Sequence, residues 1–188
     1  MGNSSITATL FRDVLGNLAI FFMILVLLIL PLVNDPTKAD DEPPPGLIQF
    51  VACWPDDADV DVDVWSLAPG DDPVGFKRRD GKVWTLVRDD LGLKFGDSDN
   101  CEVVIARSTP AGEYVVNLHA YSARPVEWPV AVQFTAIIRS NSYTQTIRKG
   151  VVNLRSVGDE KTAVRFRIDA AGKLVGGSVG DVFSSMQR

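Results

Sequence analysis

A single histidine and two cysteines are all the imidazole and thiol ligands in a chain of 188 residues. That scarcity, with no zinc-type spacing among them, excludes a zinc centre, which draws its three or four ligands mainly from these residue types. No glycine-rich phosphate loop and no dinucleotide fingerprint is present. Positive charge is also short: Lys and Arg number 19 against 24 Asp and Glu, for a net charge of −5. Without a basic stripe for phosphates, nucleic acid is not expected as a partner. Residues 176–180 fit G-x-S-x-G. A hydrolase of that type needs a histidine downstream, and His119 lies upstream in an expected strand, so no enzymatic activity is expected.

What the chain does have is one long apolar run, Leu10 to Val33. About 20 residues at ~1.5 Å rise cross the ~30 Å hydrocarbon layer. A lone segment in lipid must satisfy its backbone internally, so a transmembrane helix is expected over 10–33. Arg12 precedes the run and nothing basic crowds its far end. The positive-inside rule then puts residues 1–9 in the cytoplasm and everything after the helix outside. The competing reading is a cleaved signal peptide. An uncleaved anchor is preferred because the run exceeds a typical h-region and PLVNDPTKAD offers no small-x-small site.

Residues 34–46, NDPTKADDEPPPG, form a Pro-rich acidic linker, a semi-rigid spacer of polyproline geometry. From Leu47 the pattern is β, with no helical period. In 59–65, DVDVDVW, the valines alternate with aspartates. Further strands are expected at 47–54, 82–89, 101–108, 112–122, 130–140, 143–150, 151–157 and 162–169, punctuated by Gly, Pro and Asp turns. This predicts an all-β antiparallel, immunoglobulin-like sandwich over 47–176, with 177–188 as a loose tail. The four tryptophans, 54, 65, 84 and 128, all fall in it and are expected to fill its core.

Three groups of residues could carry chemistry. On a helix, Thr9, Asp13 and Asn17 share one face. A carboxylate inside a membrane is costly, by about 2.5–3.5 kcal/mol on insertion scales, and marks a candidate ion relay. Against this stands the reading of Arg12 and Asp13 as simple interface markers. The second group is the acid-rich set 57, 59, 61, 63, 89, 90, 97, 99 and 102. Calcium needs six to eight converging oxygens, and Asp59, Asp61, Asp63 and Asp99 are the first candidates to supply them. The alternating pattern by itself favours a solvated strand face with no metal. The third group is Cys53 and Cys101, an even pair that either bridges or forms two buried thiols.

The string FRDVLGNLAIFFMILVLLILP resembles the single helix of the ExbD/TolR/MotB family, with Asp13 at the position of the ion-carrying aspartate. That resemblance implies a proton- or sodium-driven motor or stator subunit. It would act as a homodimer inside a pentameric MotA/TolQ/ExbB-like ring in a bacterial inner membrane, with the sandwich as its periplasmic output module. No other cofactor is implied. The remainder departs from that family, lacking both an OmpA-like domain and a small αβ domain. Instead DVDVDVWSLAPG, KVWTLVRDDLG, NCEVVIA and PAGEYVVNLHAYS are similar to bacterial exported β-sandwich domains of unknown function. The second functional expectation is therefore a passively anchored sandwich that binds a protein, a glycan or Ca²⁺.

Overall fold

The computed structural model describes residues 3–33, 47–90, 100–140 and 143–186, and within the helix the side chains of 9–26. The chain divides into two units, Met1–Glu42 and Pro43–Arg188. The first is a single helix, α1, Asn3–Val33. It begins seven residues before the apolar run. It is the one helix among the described residues long and apolar enough to cross a membrane. Its described side chains are all exposed, Phe21, Phe22 and Ile24 included.

The second unit is an antiparallel two-sheet domain. Its strands are β1 (Ile48–Cys53), β2 (Val60–Leu67), β3 (Trp84–Arg88), β4 (Cys101–Ala106), β5 (Gly112–Ala123), β6 (Val130–Ser140), β7 (Tyr143–Leu154) and β8 (Glu160–Ile168). The large sheet runs β3-β4-β1-β6-β7 and the small one β2-β5-β8. β1 is central in the large sheet, which explains its nearly unbroken apolar sequence. Two expected segments, 143–150 and 151–157, merge into the single strand β7, paired along β6 from Ser140↔Tyr143 to Val130↔Leu154. Residues 141–142 lie outside the described residues.

One core joins the two inner faces. Ile48, Phe50, Trp84 and Val104 come from the large sheet and Val62, Val64, Leu118 and Phe166 from the small one. Burying a side chain of this size contributes about 1.5–3 kcal/mol each, which is the main driving force for closure. Trp54 and Trp84 are buried in this core and Trp128 packs against it, as expected, whereas Trp65 is buried in a separate cluster with Val115 and Met186. Tyr114 stacks on Phe166 with ring centroids 5.1 Å apart, and its hydroxyl donates to Pro110 O at 2.7 Å. That bond ties the loop before β5 to the strand, in the manner of a sandwich corner. Cys53 and Cys101 stand opposite each other on β1 and β4 and are disulfide-bonded.

The loose tail is corrected. The segment crosses the outer face of the small sheet and is bonded to it. Asn117 Nδ2 donates to Ser184 O at 2.7 Å, Ser184 N to Thr162 Oγ1 at 3.2 Å, and Met186 N to Glu160 Oε1 at 3.0 Å. The reason is a buried polar row on that face, where Thr162 Oγ1 also donates to Asn117 Oδ1 at 2.8 Å. Such groups need partners, and the crossing segment supplies them.

Candidate binding site

Against the expected solvated face, the aspartate side of β2 is half-buried at Asp61 and closed at Asp63. Asp63 is 2 % exposed. Val60, Val62 and Val64 do turn into the core as the alternation requires, with a register shift against β5 between Asp61 and Val62. The opposite face, however, is closed over by neighbouring segments, so the acids sit among other acids. Asp63, Asp89 and Glu102 each present a carboxylate oxygen, and the three oxygens lie within 4.8 Å of one another. They come from β2, from the residue following β3, and from β4.

Glu102 reaches this place because it shares the inward face of β4 with Val104 and Ala106. It is 1 % exposed. Its Oε2 accepts from the backbone N–H of Val64 at 2.6 Å, while its Oε1 meets no N–H donor among the described residues. Asp89 Oδ1 is likewise buried without one, and its Oδ2 faces Arg79 Nη1 at 3.5 Å. His119 Nδ1 stands 3.4 Å from Asp63 Oδ2.

Burial penalises the charged forms, and the acids repel one another. Burial first, then Asp63, Asp89 and Asp90, pushes Asp61 up to about 7. Burial and then Asp89 push Asp63 up to about 7, against the pull of Lys77. Burial likewise holds Glu102 well above the ordinary carboxylate range. His119 is lowered by burial, despite the pull of Glu160, Asp61 and Asp159.

The remaining sequence candidates fall elsewhere. Asp59 turns to Arg124, 3.2 Å away, and does not join the cluster. Asp61 lies beside the cluster, and Asp99 is outside the described residues. Thr9, Asp13 and Asn17 lie on α1, with their side chains exposed. Ser178 Oγ donates to Val175 O at 2.6 Å and accepts from Arg167 N at 3.1 Å, so it serves a turn. Glu102 could have been singled out earlier: a charged residue in the alternating phase of two core residues is a conflict the sequence already displays.

His119 also lines a cleft of about 770 Å³, bounded by Trp65, Leu67, Phe76, Tyr121 and Met186. Its aromatic side is continuous: Trp65–Phe76 and Phe76–Tyr121 ring centroids are 5.6 and 5.2 Å apart. The loop carrying Phe76 lies flat on Trp65, since a Cβ on Gly75 would stand 2.8 Å from the indole ring. Polar groups rim the cleft but cancel in charge. Asp71 pairs with Arg78 at 2.8 Å, Asp72 and Lys77 have opposite signs, and lowering His119 favours its neutral form. Tyr121 is 52 % exposed and presents its ring to solvent.

No protein family, curated protein or solved structure matches this chain.

Proposed function

We propose that this protein is a membrane-tethered binding module. Helix α1 anchors it, residues 1–9 lie in the cytoplasm of a bacterial cell, and the sandwich stands outside the inner membrane. The Cys53–Cys101 bond suits that oxidising side. The ligand is a neutral amphipathic molecule of the saccharide class, held in the cleft of Trp65, Phe76 and Tyr121. One observation carries this reading: the cleft joins a continuous aromatic surface to a rim of hydrogen-bonding groups without net charge. Aromatic faces stack on the C–H faces of a sugar ring while rim groups take its hydroxyls. Titration with a panel of neutral oligosaccharides, followed by the fluorescence of Trp65 beneath the cleft, tests it. A saturable change that Tyr121→Ala abolishes is expected; no response to any member, or binding indifferent to Tyr121, would sink it.

A second reading makes α1 a working part, as in the ExbD/TolR/MotB-like motors its sequence resembles. The observation in its favour is that α1 starts at Asn3, so Asp13 lies about 15 Å along the helix rather than at its end. Thr9 and Asn17 flank it one turn away on the same face. Asp13 then carries a proton or sodium ion, within a homodimer held in a MotA/TolQ/ExbB-like ring. Purification in mild detergent with a polytopic partner, and ion flux lost in Asp13→Asn with membrane insertion intact, are the expected results. Full flux in that variant would remove Asp13 from the role.

A further inference from the structure

We propose that Asp63, Asp89 and Glu102 together hold a hard divalent cation, Ca²⁺ in preference to Mg²⁺. The donors are all carboxylate oxygens, the chemistry that hard cations select over softer metals. Their mutual separations, within 4.8 Å, are those of oxygens around one ion, because two Ca–O bonds of roughly 2.3–2.6 Å span at most about 5 Å.

Proximity of acids alone would say little, since exposed acidic clusters are common. The decisive feature is Glu102. Its Oε1 is fully buried beside two other carboxylates and, among the described residues, meets no N–H donor, only the carboxyl of Asp89. A buried carboxylate in that position either takes up a proton, which Glu102 and Asp89 can share, or meets a positive charge, and above neutral pH three acids so close together favour the cation. Among the described residues, neither Arg79 nor Lys77 fills that need. Arg79 reaches only Asp89, at 3.5 Å and from a half-exposed position, and Lys77 is exposed.

The supporting groups are also those of a cation site. Val64 N–H holds Glu102 Oε2, fixing the carboxylate and leaving its other oxygen inward. His119 stands against Asp63 and orients it from behind, as outer-shell partners of metal ligands do. Asp61 lies close enough to Asp63, Asp89 and Asp90 to be repelled by all three, and adds negative charge. Ca²⁺ is favoured over Mg²⁺ because the three ligands come from two strands and a following loop residue and so form an irregular set. Ca²⁺ tolerates irregular coordination, whereas Mg²⁺ demands near-ideal octahedral geometry.

The site adjoins the aromatic cleft through His119 but stands independently of any ligand there. The test uses full-length protein in mild detergent, stripped with EDTA and held at pH 8, with CaCl₂ or MgCl₂ as the only addition. Thermal melts and calorimetric titration are read together. Ca²⁺ is expected to raise the melting temperature in a concentration-dependent way, with a smaller rise from Mg²⁺. Glu102→Gln keeps an oxygen for Val64 N–H, so it is expected to fold, and to melt at or above the wild type in EDTA. The same variant, and Asp89→Asn, should weaken Ca²⁺ binding by more than about 100-fold, since even outer-shell losses cost 10–100-fold. Asp59→Asn and Tyr121→Ala should leave the Ca²⁺ response unchanged, the latter separating this site from the cleft. Absence of any shift up to about 10 mM, above the range of the weakest calcium modules, would overturn the proposal. So would an undiminished shift in Glu102→Gln.

Discussion

The backbone N–H of Val64 donates to the side chain of Glu102 at 2.6 Å, and this bond joins an edge of the small sheet to the large one. Among the strands β2 pairs only with β5; at its other edge Ser66 bridges Val74, and the N–H of Val64 depends on Glu102 for its acceptor. A buried donor left without an acceptor costs about 1–3 kcal/mol. Glu102→Ala is therefore expected to destabilise the metal-free domain by at least that amount, whereas Glu102→Gln is not. Urea melts of the two variants at pH 8 provide the comparison, and equal losses would mean that the bond contributes nothing.

The same cluster sets a pH dependence. Burial pushes Asp61 and Asp63 up to about 7 in the fold, against an ordinary value of 3.8. The folded state thus binds more protons than the unfolded one between those limits. Stability is then greatest at the acid end of this window and falls as pH rises from about 4 through 7. Glu102 acts with the same sign. His119, lowered in the fold, contributes in the opposite direction below its ordinary value, one group against three. Chemical melts of EDTA-treated protein from pH 4.5 to 8 should show a falling midpoint; a midpoint that rises across this range would contradict the burial of these acids.

Asp71 obeys the reverse rule. Its side chain is 2 % exposed. Burial alone would raise it, but bonds from Arg78 Nη2 at 2.8 Å, Val83 N at 3.1 Å and Asp72 N at 2.9 Å outweigh that and hold it below its usual value. Its contribution is present above the unfolded carboxylate pKa of about 3.9 and is lost as pH falls through the lower folded value. Replacement by Ala removes the clasp of the Phe76 loop and is expected to cost about 1.5–3 kcal/mol at neutral pH. Because that loop forms one wall of the cleft, saccharide binding should weaken as well. A variant with native stability and native binding would show the clasp to be dispensable.

Asn117 is the keystone of the C-terminal crossing. It donates to both Glu160 Oε1 at 2.6 Å and Ser184 O at 2.7 Å, and accepts from Thr162. Asn117→Ala leaves several of these buried groups unpaired and should cost about 2–3 kcal/mol. Hydrogen exchange distinguishes the mechanism: the amides of Ser184 and Met186 should lose protection first, before those of β5. Uniform loss across the domain would mean that the crossing is not a separable unit.

Much of the fold was legible because it rests on short-range patterns. Alternation in DVDVDVW, the apolar run of β1 and the turns at Pro69-Gly70 and Asp80-Gly81 each report a local geometry. The site was less legible because it is made by distant segments. Period-2 alternation says that Asp61 and Asp63 oppose the core valines, but not that other chain segments will bury that opposite face. Asp59 belongs to the same alternating run as Asp63, yet it precedes β2 and pairs with Arg124. Glu102 was visible as an anomaly, a charge among core residues, yet its partners Val64 and Asp63 lie 38 and 39 positions earlier. The crossing of residues 180–186 was hidden for the same reason. Its small and polar residues read as a tail until Asn117 and Thr162 supply their bonds.

That crossing has a practical bearing on how the molecule can be handled. Met186 packs with Trp65 and Val115, and Ser185 and Met186 both line the cleft. A reporter or affinity handle fused after them would emerge beside the ligand opening, while one fused before α1 would burden the anchor. The exposed turn at Asp169–Lys173, closed by bonds from Ala171 N and Lys173 N to Asp169 Oδ1, is the better place for an insertion. It leaves the cleft and the carboxylate cluster unencumbered.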